Sequence, residues 1–419
     1  GEKNIFWPKP IKWFAKSSGT TNAKSKFIPV SKDSLEDCHY AAGKDLLCMY
    51  LNNNENSALF NGKNLRLGGS KELYEENGTT FGDLSAILID NMPLWAEFSS
   101  TPGNKVSLMS DWEYKMQAIV NETVNENVTS LAGVPSWMLV LLNNVLESTD
   151  NKTILDVWPN LEVYFHGGVS FLPYVDQYKS IIPSKSFKYY EIYNASEGFF
   201  AIQDRNHSNE LLLMLDYGIF YEFIPMQTHG TPTETLLPLS EVKKGVNYAI
   251  VITTNAGLWR YKIGDTIMFT STAPYRIKVT GRTKHFINVF GEELIIENTD
   301  KALKIVTKKT NSEIVDYTVA PIFMEGKSKG AHEWIIEFKT PPKDLNYFGA
   351  LLDNSLKSLN SDYEAKRNNN TTLDRPKIHA AKQGLFYKWM KRNNKLGGQH
   401  KIPRLSNSRQ FLEALLKID

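Results

Sequence analysis

The sequence predicts an α/β fold: a large multi-sheet N-terminal α/β domain followed by a smaller C-terminal α+β domain. Three observations carry the α/β reading and the division. First, short apolar runs rich in β-branched and aromatic residues alternate with segments whose apolar residues recur at helical spacing. Second, strand-like runs end in glycine-rich polar turns, as at Gly167-Gly168, and ligands of parallel sheets collect at strand carboxyl ends. Third, from about Glu297 the order becomes helix, strand, strand, helix, which fits a small α+β domain.

Taken in order, Ile11-Lys12-Trp13-Phe14-Ala15 and Phe27-Ile28-Pro29-Val30 read as strands. They flank the turn Lys16-Ser17-Ser18-Gly19-Thr20-Thr21-Asn22-Ala23-Lys24-Ser25-Lys26. Small hydroxyl residues and glycine let backbone N–H groups approach an anion, and Lys24 and Lys26 supply charge. The spacing is not that of a Walker A loop. A polar hairpin with solvated lysines satisfies the same residues. Ser31 and Ser34 are candidate caps of the helix that follows. Residues 84–98 carry a helical pattern broken by Pro93, and Trp112 to Asn125 reads as a long helix. A strand and a Gly-Pro turn precede the apolar helix 137–147. The strand Leu161-Glu162-Val163-Tyr164-Phe165-His166 ends in the double glycine. Tyr189-Tyr190-Glu191-Ile192-Tyr193-Asn194-Ala195-Ser196-Glu197-Gly198 repeats that design, and strands follow at 211–225 and 246–254. After Gly257 to Thr266 and Ile277 to Glu293 come a helix at 297–310, strands at 314–322 and 332–339, and a helix at 344–359.

Composition narrows the function classes. The 419 residues are 42% hydrophobic and 12% aromatic, enough for a large core and two or three domains. The net charge of +2 points to neither nucleic acid nor an anionic membrane surface. Cys38 and Cys48 make no disulfide framework and suit a reducing cytosol, so a cytoplasmic protein is expected. No run approaches the roughly 18 apolar residues of a membrane span, and no signal peptide is read. The chain opens at Gly1 and runs almost at once into a strand, so a further N-terminal segment is expected ahead of it. Singly, each polar cluster has a structural explanation: Glu197 beside a helix cap, Asp265 capping a turn, Arg282 in a surface ion pair, His166 in the core.

Jointly, the clusters point elsewhere. Ser17-Ser18-Gly19-Thr20-Thr21, Tyr193-Asn194-Ala195-Ser196-Glu197-Gly198 and Leu258-Trp259-Arg260-Tyr261-Lys262-Ile263-Gly264-Asp265 occur in this order. Asn288-Val289-Phe290-Gly291-Glu292-Glu293 and Gln399-His400-Lys401-Ile402-Pro403-Arg404 follow. The set resembles the acyl-adenylate-forming, firefly-luciferase-like superfamily. It is most similar to the auxin-responsive-promoter family of acyl-acid amido synthetases, as a bacterial-type member, over essentially the whole chain.

The resemblance implies an ATP- and Mg²⁺-dependent ligase that adenylates a small carboxylic acid and passes the acyl group to an amino acid amine. Ser17, Ser18, Gly19, Thr20 and Thr21 would wrap the β- and γ-phosphates. Gly167 and Gly168 would lie against adenine, and Ser196 beside the α-phosphate. Glu197 would hold Mg²⁺, a hard cation suited to carboxylate and phosphate oxygens. Asp265 would take the ribose hydroxyls, and Arg282 would reach the ribose or phosphate. Lys401 is the candidate for the superfamily's C-terminal catalytic lysine, although Gly397-Gly398-Gln399-His400 departs from the usual Pro-Lys-Thr-x-x-Gly-Lys surroundings. Trp137, Met138, Phe165 and Phe171 are candidates for the acyl pocket, and also for plain core. Residues 1–283 would form the adenylation domain and 284–419 a lid that moves between half-reactions. Coenzyme A as acceptor, giving a thioester ligase, and a nucleotide-binding protein without turnover are the alternatives.

Overall fold

The computed structural model describes residues 7–17, 26–68, 73–76, 78–109, 111–168, 171–283, 286–287, 292, 294–323, 330–360, 363–364, 367, 373–393, 395–396 and 402–418. Backbone packing gives two units. The larger runs to Ile263 and includes Ile267–Val279. The smaller includes Gly264–Thr266, Thr280–Leu396 and the described residues from 402 onward. The division falls inside two strands, Tyr261–Thr272 and Tyr275–Arg282.

In the larger unit the apolar runs become β1 (Trp13–Ser17), β2 (Lys26–Val30), β3 (Lys63–Leu67), β4 (Val128–Gly133), β5 (Val163–Gly167), β6 (Lys188–Ala195) and β7 (Gly198–Ile202). The helical periods become α1 (Ala41–Asn53), α2 (Trp112–Thr123), α3 (Pro135–Thr149) and α4 (Val175–Ile181). Strands β3 to β6 lie side by side and parallel: Leu67 is opposite Gly133, Gly133 opposite His166, and Gly167 opposite Ile192. Their carboxyl ends therefore share one edge. β6 then reverses through Ser196-Glu197 into antiparallel β7. These strands belong to a twelve-stranded sheet, while β1 and β2 belong to a separate four-stranded one.

Period-2 alternation divides β5 between two layers. Val163 and Phe165 pack with Tyr50 and Leu46 of α1. Tyr164 points the other way and stacks on Tyr178 of α4 at 5.2 Å. Both of these tyrosines donate to backbone, Tyr164 to Gly133 O at 2.9 Å and Tyr178 to Pro135 O at 2.8 Å. Ser31 and Ser34 form the reciprocal cap that their spacing predicts: Ser34 N donates to Ser31 Oγ at 2.9 Å, and Ser31 N to Ser34 Oγ at 3.0 Å. The helix they open starts wide, with a π-helical stretch over Ser34–Tyr40 before α1.

In the smaller unit, β8 (Glu313–Ile322), β9 (Ala331–Thr340) and β10 (Lys377–Ala381) form a three-stranded sheet. Helices α5 (Ile296–Thr310) and α6 (Leu345–Leu359) share its core around Tyr317, Trp334, Phe348 and Leu352. The closing segment runs along β8. Val319 N donates to Arg404 O at 2.8 Å and Ser406 N to Val319 O at 3.1 Å. Arg404 is buried and donates to Asp300 at 2.9 Å, so this part of the tail motif is explained by packing.

Asp353 of α6 is held by Arg367 in a buried two-point contact, Nε to Oδ1 at 2.7 Å and Nη2 to Oδ2 at 2.8 Å. Lys357, one turn along, covers only the outer side at 2.8 Å. Arg367→Ala strands a desolvated carboxylate, and should lower stability by about 3 kcal/mol in chemical denaturation. A loss below about 1 kcal/mol would show that Lys357 and Tyr363, whose OH donates to Oδ1 at 2.9 Å, suffice without it.

Candidate active site

Gly167-Gly168 and the Ser196-Glu197 turn follow the carboxyl ends of β5 and β6. A Cβ on Gly167 would lie 2.4 Å from Ile192 O, so the approach of β6 demands glycine there. Gly168 follows at φ +81°, in the left-handed region. Together they leave bare backbone at the sheet edge. On the neighbouring strand Ser196 is buried and Glu197 half-buried on the β6–β7 turn. The turn is clamped from behind, because Phe199 N donates to Cys38 Sγ at 3.2 Å from the π-helical stretch. Burial pushes the Cys38 thiol up to about 11, so it remains protonated at neutral pH.

The hydroxyl-rich turn is known here from its flanks. Ser17 ends β1; Ser18, Gly19, Thr20 and Thr21 lie outside the described residues, as does Lys401. At the start of β2, Lys26 Nζ donates to Tyr261 OH at 3.3 Å, across 235 residues of sequence. Leu258 and Tyr261 pack on the same core as Ala15, Ile28 and Val30, and Ser31 Oγ donates to Asn255 O at 2.9 Å. The flanks of the hydroxyl-rich turn and the start of the Leu258–Asp265 motif are thus neighbours. Arg260 takes φ +43° and makes a two-point contact with Glu222, at 3.0 and 2.8 Å. Its place in the motif is accounted for locally.

In the smaller unit Asp265 is buried, and Arg282 Nε donates to its Oδ1 at 2.6 Å. Two residues singled out separately in the sequence are therefore one ion pair. Glu292 is wholly buried against His332, Oε1 to Nε2 at 2.8 Å, so its motif position serves the core of this unit.

The acyl-pocket candidates separate. Trp137 and Met138 occupy the first turn of α3, directly after the end of β4, with Met138 Cε 3.4 Å from where a Gly133 Cβ would stand. Phe171 is half-buried and stacks on His166, with ring centroids 4.2 Å apart. Phe165 lies on the opposite face of the sheet, against Tyr50 and Tyr190, because it alternates with His166. It does not line a pocket with Phe171. The sequence reading missed Tyr189 and Glu191. The signal was available: they alternate on β6 as Tyr164 and His166 do on β5, and the register places Tyr164 opposite Tyr189 and His166 opposite Glu191. Tyr189 meets Phe171 at 4.9 Å. Burial holds His166 neutral, with its pKa lowered to about 3, and pushes the Glu191 carboxyl up to about 7. Among the described residues no helix is long and apolar enough to cross a membrane.

Comparison with known proteins identifies the family. The GH3 family N-terminal domain matches residues 1–187, its central domain 212–282 and its C-terminal domain 297–410. The chain belongs to the GH3 family. Indole-3-acetic acid-amido synthetase GH3.3 of Arabidopsis thaliana is 24% identical over 323 residues, covering 71% of this chain and 53% of the relative. The 4-substituted benzoates-glutamate ligase GH3.12 of the same plant is also 24% identical, covering 74% and 58%. The chain thus spans about half the length of the curated relatives it matches. The solved AtGH3.15 acyl acid amido synthetase in complex with 2,4-DB shares the fold, with TM-score 0.79 at 17% identity over 100% of this chain and 84% of that one. A 2-hydroxyisobutyryl-CoA ligase shares it more distantly, with TM-score 0.59 at 13% identity over 98% and 77%.

Glu191 gives a pH prediction. Its folded pKa, about 7, lies above the 4.5 of an unperturbed glutamate. Its contribution is fully present below pH 4.5 and is lost as the pH rises through 7. Glu191→Gln should therefore gain about 3 kcal/mol relative to the parent at pH 8 and almost nothing at pH 4.5, in paired denaturation curves. An equal effect at both pH values would contradict the burial of this carboxyl.

Proposed function

We propose that this GH3-family chain is an ATP- and Mg²⁺-dependent acyl-acid amido synthetase. It would adenylate a small carboxylic acid, release pyrophosphate, and transfer the acyl group to an amino acid amine. The observation that supports this best is that Gly167-Gly168 and Ser196-Glu197 follow the carboxyl ends of neighbouring parallel strands, β5 and β6, with Ser196 four residues beyond Ile192, the partner of Gly167. Bare backbone and a clamped turn bearing a hydroxyl and a carboxylate then close two neighbouring strands at a ligand-collecting edge.

In this reading Gly167 and Gly168 admit the adenine, and Ser196 donates to the α-phosphate. Ser17 to Thr21 surround the outer phosphates. Asp265 accepts from the ribose hydroxyls, with Arg282 fixing the orientation of its carboxylate. Glu197, a hard oxygen donor on a rigid turn, suits Mg²⁺, which would neutralise phosphate charge. A free carboxylate resists attack by an amine because its oxygen leaves poorly. Attack of that carboxylate on the α-phosphate breaks the bond to pyrophosphate, and AMP then leaves readily when the amine attacks the acyl carbon. Little covalent help is needed from the protein. Its contribution is to hold the two reactants in line and to oppose the charge that develops.

The test is ATP–pyrophosphate exchange across a panel of aryl and alkyl acids, followed by acceptor trials with amino acids and with coenzyme A. Glu197→Ala should lower exchange at least about a hundredfold, with wild-type rates not recovered by excess Mg²⁺. Asp265→Ala should act mainly on ATP, raising its KM by about tenfold or more. Silence with every acid, or an undiminished Glu197→Ala, would overturn the assignment.

A further inference from the structure

The face of β5 and β6 that carries Tyr164 and His166 is sharply divided in its hydrogen bonding. Tyr164 and Tyr178 each donate to a backbone carbonyl. His166 Nδ1 and Tyr189 OH are buried and have no hydrogen-bond partner among the described residues. His166 is only 3% exposed. The two residues flank one ring, Phe171, at 4.2 and 4.9 Å. Buried polar atoms in folded proteins are nearly always paired, so two orphans around one aromatic ring call for a bound group that completes them. They stand on the strands that end at Gly167-Gly168 and at Ser196-Glu197, beside the first turn of α3.

We infer that this face binds the acyl acid, and that the acid bears a hydroxyl away from its carboxylate which bridges His166 Nδ1 and Tyr189 OH. The inference rests on the adenylating function proposed above and deepens it. One hydroxyl both donates and accepts. An imidazole nitrogen and a phenol can each take either role, so a single such group satisfies both orphans. An anionic substituent does not fit, because the site would have to desolvate it beside the carboxyl of Glu191. The neighbouring Glu191, opposite His166, is itself driven toward its neutral form by burial. Phe171 offers its ring to a flat aryl acid.

The experiment measures kcat/KM in pyrophosphate exchange for benzoate and phenylacetate against their three ring-hydroxylated isomers. At least one hydroxylated isomer should exceed its unsubstituted parent by about tenfold or more. Tyr189→Phe, which removes one oxygen and keeps the ring, should bring that ratio down by about tenfold. His166→Phe should do the same, mostly through KM. Equal rates for hydroxylated and plain acids, or a ratio that neither variant changes, would overturn this inference while leaving the adenylating function standing. Absence of exchange with any acid would overturn both.

Discussion

The parallel pairing of Val163–Gly167 with Lys188–Ala195 is the constraint on which the candidate site depends. Its tightest point is Gly167 against Ile192 O, where no side chain fits. That contact fixes the register, and the register fixes everything at the edge. It sets Gly167 opposite Ile192, four residues before Ser196, and on one face it matches Tyr164 with Tyr189 and His166 with Glu191. A slip of β6 by one residue against β5 would send Tyr189 and Glu191 to the opposite layer. Tyr190 would then stand on the face where the Tyr189 hydroxyl now is.

Motif residues in this chain fall into two physical kinds. Gly167, Arg260, Glu292 and Arg404 are each explained by something that touches them: a strand backbone, a buried carboxylate, a buried histidine, an aspartate under a strap. Their presence in a motif does not by itself argue for contact with substrate. Ser196 and Glu197 are of the second kind, carried on a turn that is itself held in place, by Cys38 on Phe199 N and by Gly198 packed against Ile219. Asp265 is tied to Arg282 through Oδ1. A ribose there would meet a carboxylate whose plane is set by a guanidinium.

Much of this was legible in the residues. Alternating apolar periods gave the α/β order, Pro93 split the helices around it, and the Ser31 and Ser34 spacing gave the cap. What could not be read was anything that depends on which strands are neighbours. Phe165 and Phe171 look equivalent as aromatics close in sequence, yet strand alternation puts them in different layers. Asp265 and Arg282 are 17 residues apart and give no local sign that they pair. Cys38 reads as a stray cysteine until Phe199 N is found on its sulfur. Pairing across sequence distance is set by packing, and packing is not a local property.

The contrast between satisfied and orphaned groups on one face also constrains the site's chemistry. Tyr164 and Tyr178 show that this region can complete a buried hydroxyl with its own carbonyls. Leaving Tyr189 and His166 uncompleted in the same layer is then not a general shortage of acceptors. Among the described residues of this face it falls on the two that border Phe171. An unsatisfied buried group costs about 1–3 kcal/mol in the unliganded protein. A ligand that completes both recovers that cost on binding, whereas an analogue lacking the group does not. Selectivity of this kind arises from the protein's own unmet hydrogen bonds, so it needs no extra contact area and no movement of the strands.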